Sequence, residues 1–302
     1  MIKLILAIAS MYICFLIHFT IQESLLPQGE FNDNFFHFPS ALLFWVNLFN
    51  MIAASIVTKF KKLHLPSSPY PYLWISIPQQ IGLAASNYAV KYVDYPTLSL
   101  LKSAKPMSVM ICSIFIFRTP ITKERVLVVI VLSIGLAIFG FKRKFTGSTF
   151  SGLFLAFVSL LSDAIYVPMV DRLKANEGGP FITMKYSYSW SLLFISIVSF
   201  YEIFHSFIWL SLHPLFIPKI LAFGFTGCLA HVSLFTAVGM CDGIVISIAT
   251  TTRKFFSILL SSILFHHHLT SLQWVGVFIV FFALGMEIFF KNRENSNMMK
   301  LI

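Results

Sequence analysis

The sequence predicts an all-α polytopic membrane protein, with ten transmembrane helices arranged as two inverted five-helix repeats. Three observations carry this expectation. Across 302 residues the composition is 57% hydrophobic and 11% charged, against about 25% charged in soluble domains. Apolar runs of about 20 residues, each long enough to cross a ~30 Å hydrocarbon core, recur along the whole chain. A shift of 148 residues lays 89–141 on 237–289 without a gap.

The first span, 2–22, stays apolar to Ile21 and has no small-x-small cleavage site, so it reads as a retained helix rather than a signal peptide. It ends at Gln22-Glu23. The second, 39–58, opens on Pro39, which suits a first helical turn, and stops at Lys59, Lys61 and Lys62. Spans 72–91 and 96–117 are joined by the short turn Asp94-Tyr95, and 125–141 runs up to Lys142-Arg143-Lys144. The second half repeats the plan with 150–170, 182–204, 217–238, 244–265 and 272–290, Asp242-Gly243 joining the eighth and ninth.

The net charge of +10 sits mainly in short loops, which points to membrane orientation rather than nucleic acid. Placing both termini in the cytosol puts most Lys and Arg on the inner side. Lys142-Arg143-Lys144 falls on the other side, against that rule. Cys14, Cys112, Cys228 and Cys241 are scattered and imply no disulfide framework or zinc site.

In the 148-residue shift Ala89 meets Ala237, Asp94 meets Asp242, Ser113 meets Ser261 and Thr122 meets Thr270, while Lys105 lands on Arg253. A displacement by five spans is odd, so the two copies cross the membrane in opposite senses. The expected organisation is a single transporter domain, 1–145 and 146–302 being its repeats. Inverted repeats of this kind recur in secondary transporters.

Cations inside apolar spans are the sharpest clue to chemistry. Lys102, Lys105, Arg253 and Lys254 each lie where a charge costs roughly 2.5–3.5 kcal/mol on insertion scales, and few carboxylates lie near them in sequence. Lys102 and Lys105 share a helical face, so they repel unless an anion bridges them. Arg253 offers a planar fork suited to phosphate oxygens. We expect these four to bind substrate phosphate, the alternative being that they snorkel to headgroups. Glu23, Gln79, Gln80, Asn87, Tyr88, Asp163, Thr250 and Thr251 are candidate cavity-lining residues. The ordinary role of each amide is an interhelical hydrogen bond, hydroxyls such as Thr250 often bond back to their own helix, and Asp163 could neutralise a cation. His266-His267-His268 lacks the ligand spacing of a metal centre, so no metal and no cofactor are expected. No Gly-x-Ser-x-Gly, His-Glu-x-x-His or Walker-type loop occurs, which leaves a secondary carrier rather than an enzyme or an ATP-driven pump.

At these residues the chain resembles the nucleotide-sugar transporters of the drug/metabolite transporter superfamily, most of all the endoplasmic-reticulum subgroup related to the UDP-galactose transporter homologue. The carrying stretches are Tyr92-Val93-Asp94-Tyr95-Pro96-Thr97 with Lys102-Ser103-Ala104-Lys105-Pro106, Thr250-Thr251-Thr252-Arg253-Lys254-Phe255-Phe256, and Ser271-Leu272-Gln273-Trp274-Val275-Gly276-Val277. Gln22-Glu23 and Ser159-Leu160-Leu161-Ser162-Asp163 match more loosely. The resemblance implies a ten-helix antiporter exchanging a nucleotide sugar, of the UDP-galactose or UDP-glucose type, for a nucleotide, with ATP/ADP exchange as an alternative. It implies phosphate contacts from the four cations and a cavity-lining role for Glu23. The expected partners are that substrate and the lipid bilayer, with homodimerisation open. The ending Lys300-Leu301-Ile302 lacks a dilysine pair, so a Golgi membrane stands beside the endoplasmic reticulum. Other readings are a phosphorylated-sugar or organic-anion carrier of the same superfamily and, from another class, an integral-membrane transferase.

Overall fold

The computed structural model describes residues 2–25, 36, 38–64, 66, 68–89, 92–93, 101–102, 104–140, 150–176, 179–264 and 270–299, the side chains at 2, 19, 23, 87, 175–176, 254, 256–264, 288 and 291–299 excepted. The Asp94-Tyr95 turn, Lys142-Arg143-Lys144, His266-His267-His268 and Lys300-Leu301-Ile302 lie outside these residues.

The described regular structure is helical throughout: α1 (Ile2–Leu25), α2 (Pro39–Phe60), α3 (Tyr70–Ala89), α4 (Lys105–Phe115), α5 (Lys123–Gly140), α6 (Phe150–Asn176), α7 (Pro180–Val198), α8 (Phe200–Leu212), a 3-10 turn (Pro214–Phe216), α9 (Ile217–Val238), α10 (Gly243–Leu264) and α11 (Ser271–Met299). In an apolar solvent a backbone must satisfy its own hydrogen bonds, which favours helices. Lys3–Gln22, Pro39–Phe60, Phe150–Lys174 and Pro214–Val238 are each long and apolar enough to cross a bilayer, and the bent pair α7–α8 makes a fifth candidate. The chain is therefore an all-helical protein with several apolar helices that fit a polytopic membrane protein.

The seventh span, expected as one helix over 182–204, breaks at Ser199, where α7 and α8 meet at 86°. A straight helix would carry Glu202 through an apolar stretch. With the break, Glu202 falls in the first turn of α8, favourable for an anion, and its Oε1 accepts the Ser40 backbone N–H at 2.9 Å. No side chain within α2 caps its N-terminus, so Glu202 satisfies one of the donors orphaned there. The fourth span also differs. Leu101 and Lys102 are helical, but α4 restarts at Lys105, because Pro106 has no N–H to continue a ladder from upstream. Lys105 thus opens a helix rather than lying midway along one.

The chain forms two compact units, each built from two segments. Unit 1 comprises Met1–Gln80 with Met169–Ile246, and unit 2 comprises Ile81–Pro168 with Ser247–Ile302. In unit 1, α1 packs on α9, and α2 packs on α7 and α9. Phe36, Leu42, Ile220 and Phe223 build one of its cores. In unit 2, α5 packs along α11. There a Cβ on Gly276 would stand 2.7 Å from the Phe139 nitrogen and 2.9 Å from the Gly135 carbonyl oxygen, so only glycine permits that approach.

Candidate functional site

All four expected phosphate-binding cations, Lys102, Lys105, Arg253 and Lys254, belong to unit 2. Lys105 is the first residue of α4, where the unpaired N–H groups and the positive end of the helix dipole already favour an anion. Its Nζ lies 3.2 Å from Asp163 Oδ1 of α6, the side chains being 18% and 26% exposed. Asp163 therefore neutralises Lys105. Lys102 donates from Nζ to Ser86 Oγ of α3 and lies within electrostatic range of both Asp163 and Lys105. Tyr166, one turn beyond Asp163 on α6, feels the same carboxylate. Two cations and one carboxylate leave this group net positive. The cluster can hold an anion that competes with Asp163 for Lys105.

On α10, Arg253 is buried at 6% exposure, as are Thr251 and Thr252. Phe255 fixes this turn by packing edge-on against Phe139 of α5, with centroids 5.0 Å apart. Thr250 donates to the Ser247 carbonyl at 3.1 Å and Thr252 to the Ile248 carbonyl at 2.9 Å, so both hydroxyl protons are spent on their own helix. Lys254 follows Arg253 on α10, its side chain outside the described set. Within unit 2 the structure thus holds Lys102, Lys105 and Asp163 together and buries Arg253 in an apolar helix.

The remaining expected residues fall elsewhere. Gln79 and Gln80 are buried on α3 in unit 1, where Ser191 of α7 donates to Gln79 Oε1 at 3.4 Å. Tyr88 ends α3 half-exposed, at 50%. Asn87 lies on α3 and Glu23 on α1. Among the described residues no group of three or more His, Cys, Asp or Glu could hold a metal.

Two features escaped the sequence reading. At the end of α6, Lys174 Nζ donates to the carbonyls of Val238 at 2.8 Å and Cys241 at 2.6 Å, and pairs with Asp171. Asp171 in turn accepts the Gly243 N–H. One i,i+3 pair thereby closes the C-terminus of α9 and the N-terminus of α10, the ends where a cation and an anion respectively belong. The available signal was Asp-x-x-Lys at the foot of an apolar run. The second feature is a pair of fully buried amides, Asn47 and Asn50 of α2, legible as two Asn three apart inside an apolar stretch.

The sequence model of the UAA transporter family matches residues 3–291. The chain is 30% identical over 300 residues to solute carrier family 35 member B1 of Xenopus tropicalis, covering 94% of this chain and 93% of that one. It is 30% identical to the Dictyostelium discoideum protein of the same name, covering 94% and 76%, and 29% identical to that of Mus musculus, covering 94% and 92%. A solved crystal structure 10% identical in sequence covers 97% of each chain with a TM-score of 0.60, which shows a shared fold.

Proposed function

The chain belongs to the UAA transporter family of nucleotide-sugar transporters, and we propose that it exchanges a UDP-galactose- or UDP-glucose-type nucleotide sugar for a nucleotide across the endoplasmic-reticulum or Golgi membrane. It is a transporter and not an enzyme. The observation that carries the proposal is the cation set of unit 2, where Lys102 and Lys105 share one carboxylate and Arg253 is buried in an apolar helix. Planar guanidinium and ammonium donors of this kind suit a diphosphate.

Alternating access follows from an inverted repeat of ten spans, with 1–145 related to 146–302 and both termini in the cytosol. Three observations support it. Helices α5 and α11 begin at Lys123 and Ser271, 148 residues apart, and pack on each other. Ser162 of α6 stands against Gly82 of α3 in unit 2, and His18 of α1 stands against Gly227 of α9 in unit 1. Ser162 lies 144 positions after His18, and Gly227 lies 145 after Gly82, the offsets expected of two copies of one helix pair.

Exchange is obligate on this reading. An unloaded site leaves excess positive charge in a low dielectric, and occluding it is costly. A bound diphosphate neutralises that charge and makes occlusion cheap. The test is counterflow in reconstituted vesicles with labelled UDP-sugars, UMP, ADP and ATP. Vesicles preloaded with UMP should take up UDP-sugar, and empty vesicles should not. Rapid net uptake into empty vesicles would contradict the mechanism, and ADP–ATP exchange with no UDP-sugar uptake would select the adenine-nucleotide alternative. Cross-linking in the same vesicles tests whether the carrier works as a homodimer.

A further inference from the structure

Asn47 and Asn50 lie three residues apart on one face of α2, at 1% and 0% exposure. Lys61, just past the end of α2, stands 4.3 Å over the ring of Phe181 at the start of α7, and the two helices pack along each other. They therefore run antiparallel. Stepping back eleven residues from Lys61 and forward eleven from Phe181 sets Asn50 level with the turn of α7 that holds Ser191. Ser191 also donates to Gln79 of α3, and Gln80 is buried next to it. Asn50 of α2 and Gln79 of α3 thus lie level with one turn of α7, all within unit 1.

Asn47 Nδ2, Asn50 Nδ2, Asn50 Oδ1 and Gln80 Nε2 are buried and find no hydrogen-bond partner among the described residues. Amides that only tie helices together bond across the interface. These atoms do not, and buried polar groups that stay unmatched are rare in folded proteins. The set is uncharged, rich in donors, and contains one adjoining donor–acceptor pair on Asn50. A ligand that satisfies it presents acceptor, donor and acceptor in a row.

Resting on the nucleotide-exchange reading above, we propose that Asn47, Asn50 and Gln80 are the base-reading residues and that their pattern selects uracil. The uracil edge offers a carbonyl oxygen, the N3–H and a second carbonyl oxygen. Asn50 meets the N3–H with its carbonyl and one uracil oxygen with its amide. Asn47, one turn away on the same face, or Gln80 supplies the donor for the other oxygen. Adenine presents a single donor and acceptor to an amide, leaving the extra donors unmet. Sites built to bond a particular polar edge reject ligands lacking it because their own groups stay buried and unpaired.

The experiment is ligand-induced thermal stabilisation of the purified full chain in detergent, with UMP, AMP and 3-methyl-UMP, on the wild type, Asn50→Leu and Asn47→Leu. The wild type should bind UMP at least about tenfold more tightly than AMP. It should also reject 3-methyl-UMP, whose methyl group removes the N3–H. Asn50→Leu should bring the UMP-to-AMP ratio close to one, retain AMP binding, and melt no lower than wild type without ligand, since the change removes unmatched polar atoms. A wild type binding UMP, AMP and 3-methyl-UMP alike overturns this assignment while nucleotide exchange stands. So does an Asn50→Leu protein that melts lower and keeps the wild-type ratio. No stabilisation of the wild type by any nucleotide removes both readings.

Discussion

In unit 2 the embedded polar side chains include charged groups that hold partners: Lys105 meets Asp163 and Lys102 meets Ser86. In unit 1 they include neutral amides, several of whose atoms meet nothing among the described residues. Cost explains the contrast. A bare charge at hydrocarbon depth is far more expensive than a bare amide. The charged cluster therefore carries its own counter-ion, whereas an amide can stay unmatched at a smaller cost.

The largest expected effect that separates the two regions comes from Arg253. Arg253→Ala should reduce counterflow at least about 100-fold, and Arg253→Lys about tenfold, because Lys keeps the charge but loses the bidentate fork. Wild-type exchange by Arg253→Ala would remove Arg253 from the site. Next is the Lys105–Asp163 pair. Lys105→Ala should abolish most exchange and also destabilise the fold by about 1–3 kcal/mol, less than a fully buried broken pair because both groups are partly exposed. Adding Asp163→Asn should restore the melting temperature but not transport. Recovery of transport in the double variant would show that the pair is structural.

In unit 1, Lys174→Met should lower stability by about 1–3 kcal/mol through the two carbonyls it leaves unmatched. Base preference should be unchanged, and a shifted preference would tie the α9–α10 turn to recognition. The smallest effect is expected for Ser86→Ala, about 0.5–1.5 kcal/mol, with exchange within twofold of wild type. A larger loss would make the hydroxyl a substrate contact.

The helices were legible because hydropathy and helix length are coupled by bilayer thickness: the start of α2 at Pro39 and the span of α9 agree with the sequence reading. The break at Ser199 was not, since neither Pro nor Gly marks it. Its signal was Glu202, a carboxylate inside an apolar run that needed a donor from a distant helix. Lys105 and Arg253 stood out because each charge is improbable where it lies. The partner of Lys105 was one of several options, because a contact between α4 and α6 depends on packing that no local pattern encodes. Asn47 and Asn50 were passed over for a related reason. An amide in an apolar helix ordinarily bonds to a neighbour, and only coordinates show that these do not.

The main-chain contact between α5 and α11 has a consequence for tightness. With Gly276 against the backbone of Phe139 and Gly135, and Gly135 against the side chains of Ile279 and Val280, α5 and α11 cannot part without breaking a close-packed fit.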